Sequence, residues 1–255
     1  MAQALPRTSF TRSGLVRALA DLAAEDVQES RQSFAERVGQ WLDFKDALPL
    51  YSVLNPGSSG AAVQGSGTAS PEYSALREEF DRVRAALADS IVADGVFRPG
   101  KARIELPTPV PNAPVESAAE FSPYRRYYLA HQRDMQAGIA PLRTSARAAL
   151  SRHSPALQHL AALDAVLDQA LATRERTLLS TVSSLLAKRF EHLYAAHQAA
   201  QAEAQAEDDP SRWMEAGGWL AVFCREMQAV LLAELDTRLQ PVSGLIEALH
   251  NEVTG

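Results

Sequence analysis

Cysteine occurs once in these 255 residues, at Cys224. One cysteine allows no intramolecular disulfide and no zinc-binding cysteine pair, so a disulfide-stapled secreted fold is excluded and a reducing compartment fits. Lysine is almost as scarce, standing only at Lys45, Lys101 and Lys188, which leaves arginine as the working cation. Aromatics are 7% of the chain and runs of β-branched residues are nearly missing, so there is little material for a sheet. The longest apolar run, residues 219–223, falls far short of the roughly 20 residues a membrane-crossing helix needs. Residues 1–19 carry Arg7, Arg12 and Arg17 without a continuous apolar stretch, a poor signal peptide. No phosphate-binding glycine loop, nucleophile elbow or His-Glu-x-x-His motif occurs.

Alanine and leucine dominate a 46% apolar composition, and both lose little side-chain freedom in a helix. The formal net charge of −6 gives no global attraction to nucleic acid or anionic lipid. Helical punctuation is dense. Ser13 is placed to cap a short helix with Leu15, Leu19 and Leu22, and Asp26 with Glu29 has the form of a capping box before Val27, Phe34, Val38, Trp41 and Leu42. Pro49 is expected to stop that run, giving an N-terminal helical module over residues 1–54. Residues 55–70, with Gly57, Gly60, Gly65 and Gly67, read as a flexible linker.

Residues 71–255 read as a helical bundle. Ser70-Pro71, Ser122-Pro123, Ser154-Pro155 and Asp209-Pro210 each put a capping side chain before a proline at the first helical position. The stripe Leu76, Phe80, Leu87 and Ile91 follows the first. A proline-rich connection over residues 95–121 is expected to be irregular, with residues 104–110 lying across the helices as a strap. The next helix carries Tyr124, Tyr128, Met135, Ile139, Leu142, Ala146 and Leu150, with Pro141 expected to kink or split it. Residues 155–201 form the longest candidate, striped by Leu160, Leu163, Leu167, Leu171, Leu178, Val182, Leu185, Phe190 and Leu193. Residues 198–209 read as a frayed end or loop. The last helix is placed over residues 210–239 and is expected to break at Pro241. The fold class is therefore all-α, an extended, coiled-coil-like bundle with a small N-terminal helical pair.

Chemistry is thin. Glu247 and His250 make half of a bundle metal motif, and His131 with Asp134 a weaker pair, so no metal, cofactor or catalytic residue is assigned. Cys224 lies on an apolar stripe and reads as a buried small hydrophobe. The most distinctive stretch, residues 122–153, holds six arginines against Asp134 alone. Tyr124, Arg125, Arg126, Tyr127, Tyr128, Arg133, Arg143 and Arg147 form its candidate interaction patch. Arginine beside aromatic rings can grip phosphates and stack on bases, whereas the plainer reading pairs the arginines with Asp164, Asp168, Glu191 or Glu203.

The segments Pro6-Arg7-Thr8-Ser9, Ser13-Gly14-Leu15-Val16-Arg17, Ser30-Arg31-Gln32-Ser33-Phe34-Ala35-Glu36-Arg37 and Gln40-Trp41-Leu42 resemble an uncharacterised family of proteobacterial proteins, a domain of unknown function. Members are often encoded near OmpA-like and MotA-like membrane proteins, so the resemblance implies a cytoplasmic accessory of an envelope assembly. It carries no catalytic residues. The functional expectation is a non-enzymatic helical adaptor or scaffold with a protein partner, able to self-associate through residues 155–201. The alternative is a binder of nucleic acid or anionic surfaces through residues 122–153.

Overall fold

A computed structural model describes residues 13–23, 40–41, 44–54, 71–110 and 114–254. Helices dominate, and no strand occurs among the described residues. In chain order they are α1 (Gly14–Ala23), α2 (Phe44–Leu54), α3 (Pro71–Val92), a single turn α4 (Val115–Ala118), α5 (Ser122–Leu150), α6 (Pro155–Ala204) and α7 (Trp219–Thr254). The fold class is all-α, as composition and periodicity predict. The capping box at Asp26, the stripe from Val27 to Val38, Leu42, the residues 55–70 and the Ser70 cap lie outside the described residues.

The last helix is the hub. Leu220, Phe223, Cys224, Met227, Leu231, Val242 and Leu249 of α7 are fully buried, and α1, α3, α5 and α6 all pack against it. A helix with neighbours on several sides needs a wide apolar face, and α7 keeps Arg225, Asp236 and Glu247 exposed on what remains. Leu15 and Leu22 of α1 join the same core as Leu76, Phe80, Leu87 and Ile91 of α3. Arg189 of α6 clamps Glu226 of α7 with two hydrogen bonds, 2.8 and 2.6 Å.

Pro49 and Pro241 contradict their expected role as breaks, and Pro141 does not split its helix. Helix α2 runs through Pro49, α5 through Pro141 and α7 through Pro241. All three are exposed, so the carbonyl released by each missing amide lies toward water. Past Pro241, the buried Val242, Leu245, Ile246 and Leu249 contribute roughly 1.5–3 kcal/mol each on burial, together well above the ~3 kcal/mol an interior proline costs.

The start of α7 is a second correction. Pro210 opens only a short 3-10 turn (Pro210–Arg212) in which Asp209 Oδ1 accepts from Ser211 N at 2.9 Å. The chain then reverses at Gly217, with φ +88°, and Gly218, where a Cβ would sit 2.2 Å from the Trp213 carbonyl oxygen. Only after this hairpin does α7 begin. Trp213 Nε1 donates to Asp208 Oδ1 at 2.7 Å, and Asp208 Oδ1 also meets His197 Nε2 at 2.8 Å. Trp213 and Trp219, with ring centroids 5.1 Å apart, wall off this end of the bundle.

Capping reads more simply. Ser154 accepts from Leu157 N at 3.3 Å, as its Ser-Pro pair predicts. Ser122 does not cap: it lies inside the first turn of α5, behind Phe121, and its Oγ takes a 3.4 Å contact from Arg126. Among its described residues the proline-rich connection is irregular except for α4. Asp94, almost fully buried, organises its start by accepting from Val96 N and Phe97 N at 2.7 Å and from Gln228 Nε2 at 2.6 Å. Of the expected strap, Leu106 enters the core, whereas Val110 at its end is exposed.

Candidate functional site

Helix α6 is the place where sequence pattern and packing part company. Leu157 and Ala161 at one end and Val182, Leu186 and Phe190 toward the other are buried, yet none of residues 162–181 is. The leucines Leu163, Leu167 and Leu171 are half-buried and Leu178 is exposed. Of the predicted stripe only Val182 and Phe190 are buried; Leu160, Leu185 and Leu193 are half-buried like the leucines of the middle, and the buried Leu157, Ala161 and Leu186 lie beside it. A 3.6-residue period shows which face of a helix is apolar; it does not show where along the helix a neighbour stands.

A cleft of about 760 Å³ lies between α6 and the helices α5 and α7. From α6 it is faced by Asp168, Ala172, Glu175 and Arg176, spaced to share one face. Helix α5 contributes Leu129, Arg133, Gln136, Ile139 and Ala140, with Met135 and Gln132 beneath, and α7 contributes Arg238.

One end of the cleft is closed by an ionic lattice. Arg143 and Arg147, one turn apart on α5, meet Asp164 and Asp168, one turn apart on α6. Arg143 reaches Asp164 at 2.9 and 2.6 Å and Asp168 at 2.7 Å, while Arg147 reaches each carboxylate at 2.6 Å. Burial alone pushes the Asp164 carboxyl upward, but hydrogen bonds from the two guanidiniums outweigh it and hold the group below the usual carboxylate range. These two arginines are thus internally paired with the two aspartates the plainer sequence reading names. Glu191 and Glu203 play no such part; both are exposed.

Under the cleft lies a carboxylate with no access to water. Glu234 of α7 accepts hydrogen bonds from the Tyr128 hydroxyl, from Gln132 Nε2 at 3.0 and 3.1 Å, and from Arg238 Nε at 2.8 Å. Arg238 extends onward to Glu175 at 3.4 Å, tying the α7 base to the α6 wall. Buried charge persists only when paired and hydrogen-bonded in this way. The one trace of Glu234 in the sequence is that it is a single carboxylate inside the apolar run from Val230 to Leu235.

The rest of the predicted patch divides by helix face. Tyr124, Tyr127 and Tyr128 are core residues, none more than 3% exposed, so no ring is presented for stacking; burial pushes all three phenols far up. That part of the expected patch is corrected. Arg125, Arg126 and Arg133 are exposed, and none pairs with a carboxylate among the described residues. Only Arg133 reaches the cleft.

The remaining candidates are structural by placement. His131 is buried, edge-on to Tyr127 at 4.6 Å, and desolvation, with Arg103 nearby, lowers its pKa to about 4. Asp134 pairs with Arg103, so this histidine and aspartate do not converge. His250 stacks on Tyr73 at 4.9 Å, one turn from the exposed Glu247. Cys224 is fully buried and burial pushes its thiol far up, leaving no nucleophile. Arg225 turns away from it, onto the Phe97 ring at 5.1 Å.

No helix among the described residues is long and apolar enough to cross a membrane. No curated protein and no solved structure matches the chain. Residues 1–251 match the family described as "Protein of unknown function (DUF3348)", and the chain belongs to that family.

Proposed function

We propose that this protein is a non-enzymatic helical adaptor that presents the middle of α6 to a protein partner. The observation that supports this reading is the run of residues 162–181, which carries five leucines and buries none, although both flanks of the same helix are anchored in the core. Apolar surface exposed beside it adds to the case: α2 packs on α6 and leaves Leu48 and Leu54 more than half exposed. Contiguous exposed apolar surface on a folded chain marks interaction sites more often than chance. The finer part of the proposal, a cytoplasmic accessory of an envelope assembly in proteobacteria, follows from the family resemblance of the N-terminal segments.

A photo-crosslinking amino acid placed at Leu171 or Leu178, with controls at the exposed Glu78 and Ala86 of α3, tests this in native cells. The adaptor reading expects discrete crosslinked species from the α6 positions and none from α3. Crosslinks at equal yield from both helices, or from neither, would contradict it. Light scattering on the purified chain then separates a second copy from a different protein.

A further inference from the structure

We infer that the cleft between α5 and α6 receives an acidic amphipathic helix from the partner protein, with Arg133 and Arg176 gripping its carboxylates. This rests on the adaptor reading and names the partner's chemistry. Shape comes first. Leu129, Arg133, Gln136, Ala140 and Arg143 fall at helical spacing on one side of α5, a stripe about 21 Å long at ~1.5 Å per residue. With α6 as the second wall and α7 as the base, the trough has the length of a four-turn helix and lacks its fourth member.

Charge selects the occupant. The two carboxylates of the lining are already committed, Asp168 to Arg143 and Arg147, and Glu175 to Arg238. Arg133 bonds only to the Leu129 carbonyl of its own helix, at 3.2 Å. Arg176 bonds only to the Ala172 carbonyl at 3.3 Å and Thr173 Oγ1 at 3.4 Å. Each guanidinium has five N–H donors in a fork that matches a carboxylate, so most of their capacity is unspent. They stand on opposite walls, over a floor that includes Leu129, Ile139 and Ala172. Leucines on one face of a guest helix fit that floor, and glutamates on both flanks fit the two arginines. A nucleic acid would find the arginines but no aromatic ring in the cleft lining to stack on, since the tyrosines of α5 are buried.

The test is fluorescence anisotropy of the full chain with two labelled helical 16-residue probe peptides. Both carry leucines on one face; one has flanking glutamates, the other lysines. The glutamate peptide should bind and weaken as salt is raised, and replacing Arg133 and Arg176 by glutamate should cost roughly tenfold for each arginine. The doubly reversed protein, checked for wild-type helicity by circular dichroism, should in turn take up the lysine peptide. Equal binding of the two peptides by the wild type, no binding of either, or undiminished binding of the glutamate peptide by the reversed protein would overturn the proposal. Tighter binding of a short DNA duplex than of the glutamate peptide would also overturn it, in favour of a polyanion. Should crosslinks persist from Leu171 and Leu178 while the glutamate peptide fails, the adaptor reading stands and this assignment falls.

Discussion

Replacing His131 by leucine should flatten part of the protein's acid sensitivity, by an amount that follows from burial. The imidazole is 1% exposed, its Nε2 has no hydrogen-bond partner, and Arg103 adds like charge nearby. Protonating it in the folded state is therefore opposed, and its pKa falls to about 4 from the ordinary 6.5. Between those values the unfolded chain binds a proton that the folded chain refuses, so stability is full above about pH 6.5 and drains as pH falls toward 4. The full gap corresponds to about 3 kcal/mol, most of it spent between pH 7.5 and 4.5. Urea midpoints measured across that range for wild type and His131→Leu isolate the effect, because every other titrating group cancels in the difference. The wild type should lose that much relative to the variant as pH falls. Parallel pH curves would show that the imidazole is not held neutral by its surroundings and would refute the reasoning.

Other consequences are equally concrete. Gly218→Ala should destabilise by roughly 2–3 kcal/mol or more in urea denaturation, because its Cβ would strike the Trp213 carbonyl, which already accepts from Ala221 N at 3.1 Å. Glu234→Ala should cost about 3–5 kcal/mol, since it strands Arg238, Gln132 and Tyr128 in the interior; a cost below about 1 kcal/mol would argue against a buried network. Leu186→Ala, at a fully buried site, should cost about 2–5 kcal/mol, whereas Leu178→Ala, at a site 44% exposed, should cost well under 1 kcal/mol.

Much of the fold was legible because helices announce themselves twice, through caps and through period. The Ser154-Pro155 pair and the stripe from Leu76 to Ile91 placed α6 and α3 correctly. Proline misled where tertiary burial outweighed local cost: Val242, Ile246 and Leu249 carry α7 through Pro241. Ser122 failed as a cap because Phe121 already has helical backbone angles, with φ −72° and ψ −22°. At the site, Arg143 and Arg147 were assigned the right partners, since the aspartates share their one-turn spacing. The tyrosines were misread because alternation of Arg and Tyr in sequence becomes opposite faces on a helix. Glu234 and Arg176 were invisible because their meaning comes from which helices meet.

The central claim, that the leucines in the middle of α6 stay out of the core that takes in both its ends, can be tested by one thiol-labelling profile. Single cysteines introduced one at a time at Leu157, Leu163, Leu167, Leu171, Leu178, Leu186 and Phe190 would be exposed to a maleimide reagent, with the fully buried Cys224 as the internal unreactive reference. Fast labelling at positions 163–178 with protection at 157, 186 and 190 is the predicted result. Protection at every one of these positions, the mark of an unbroken buried stripe, would contradict it.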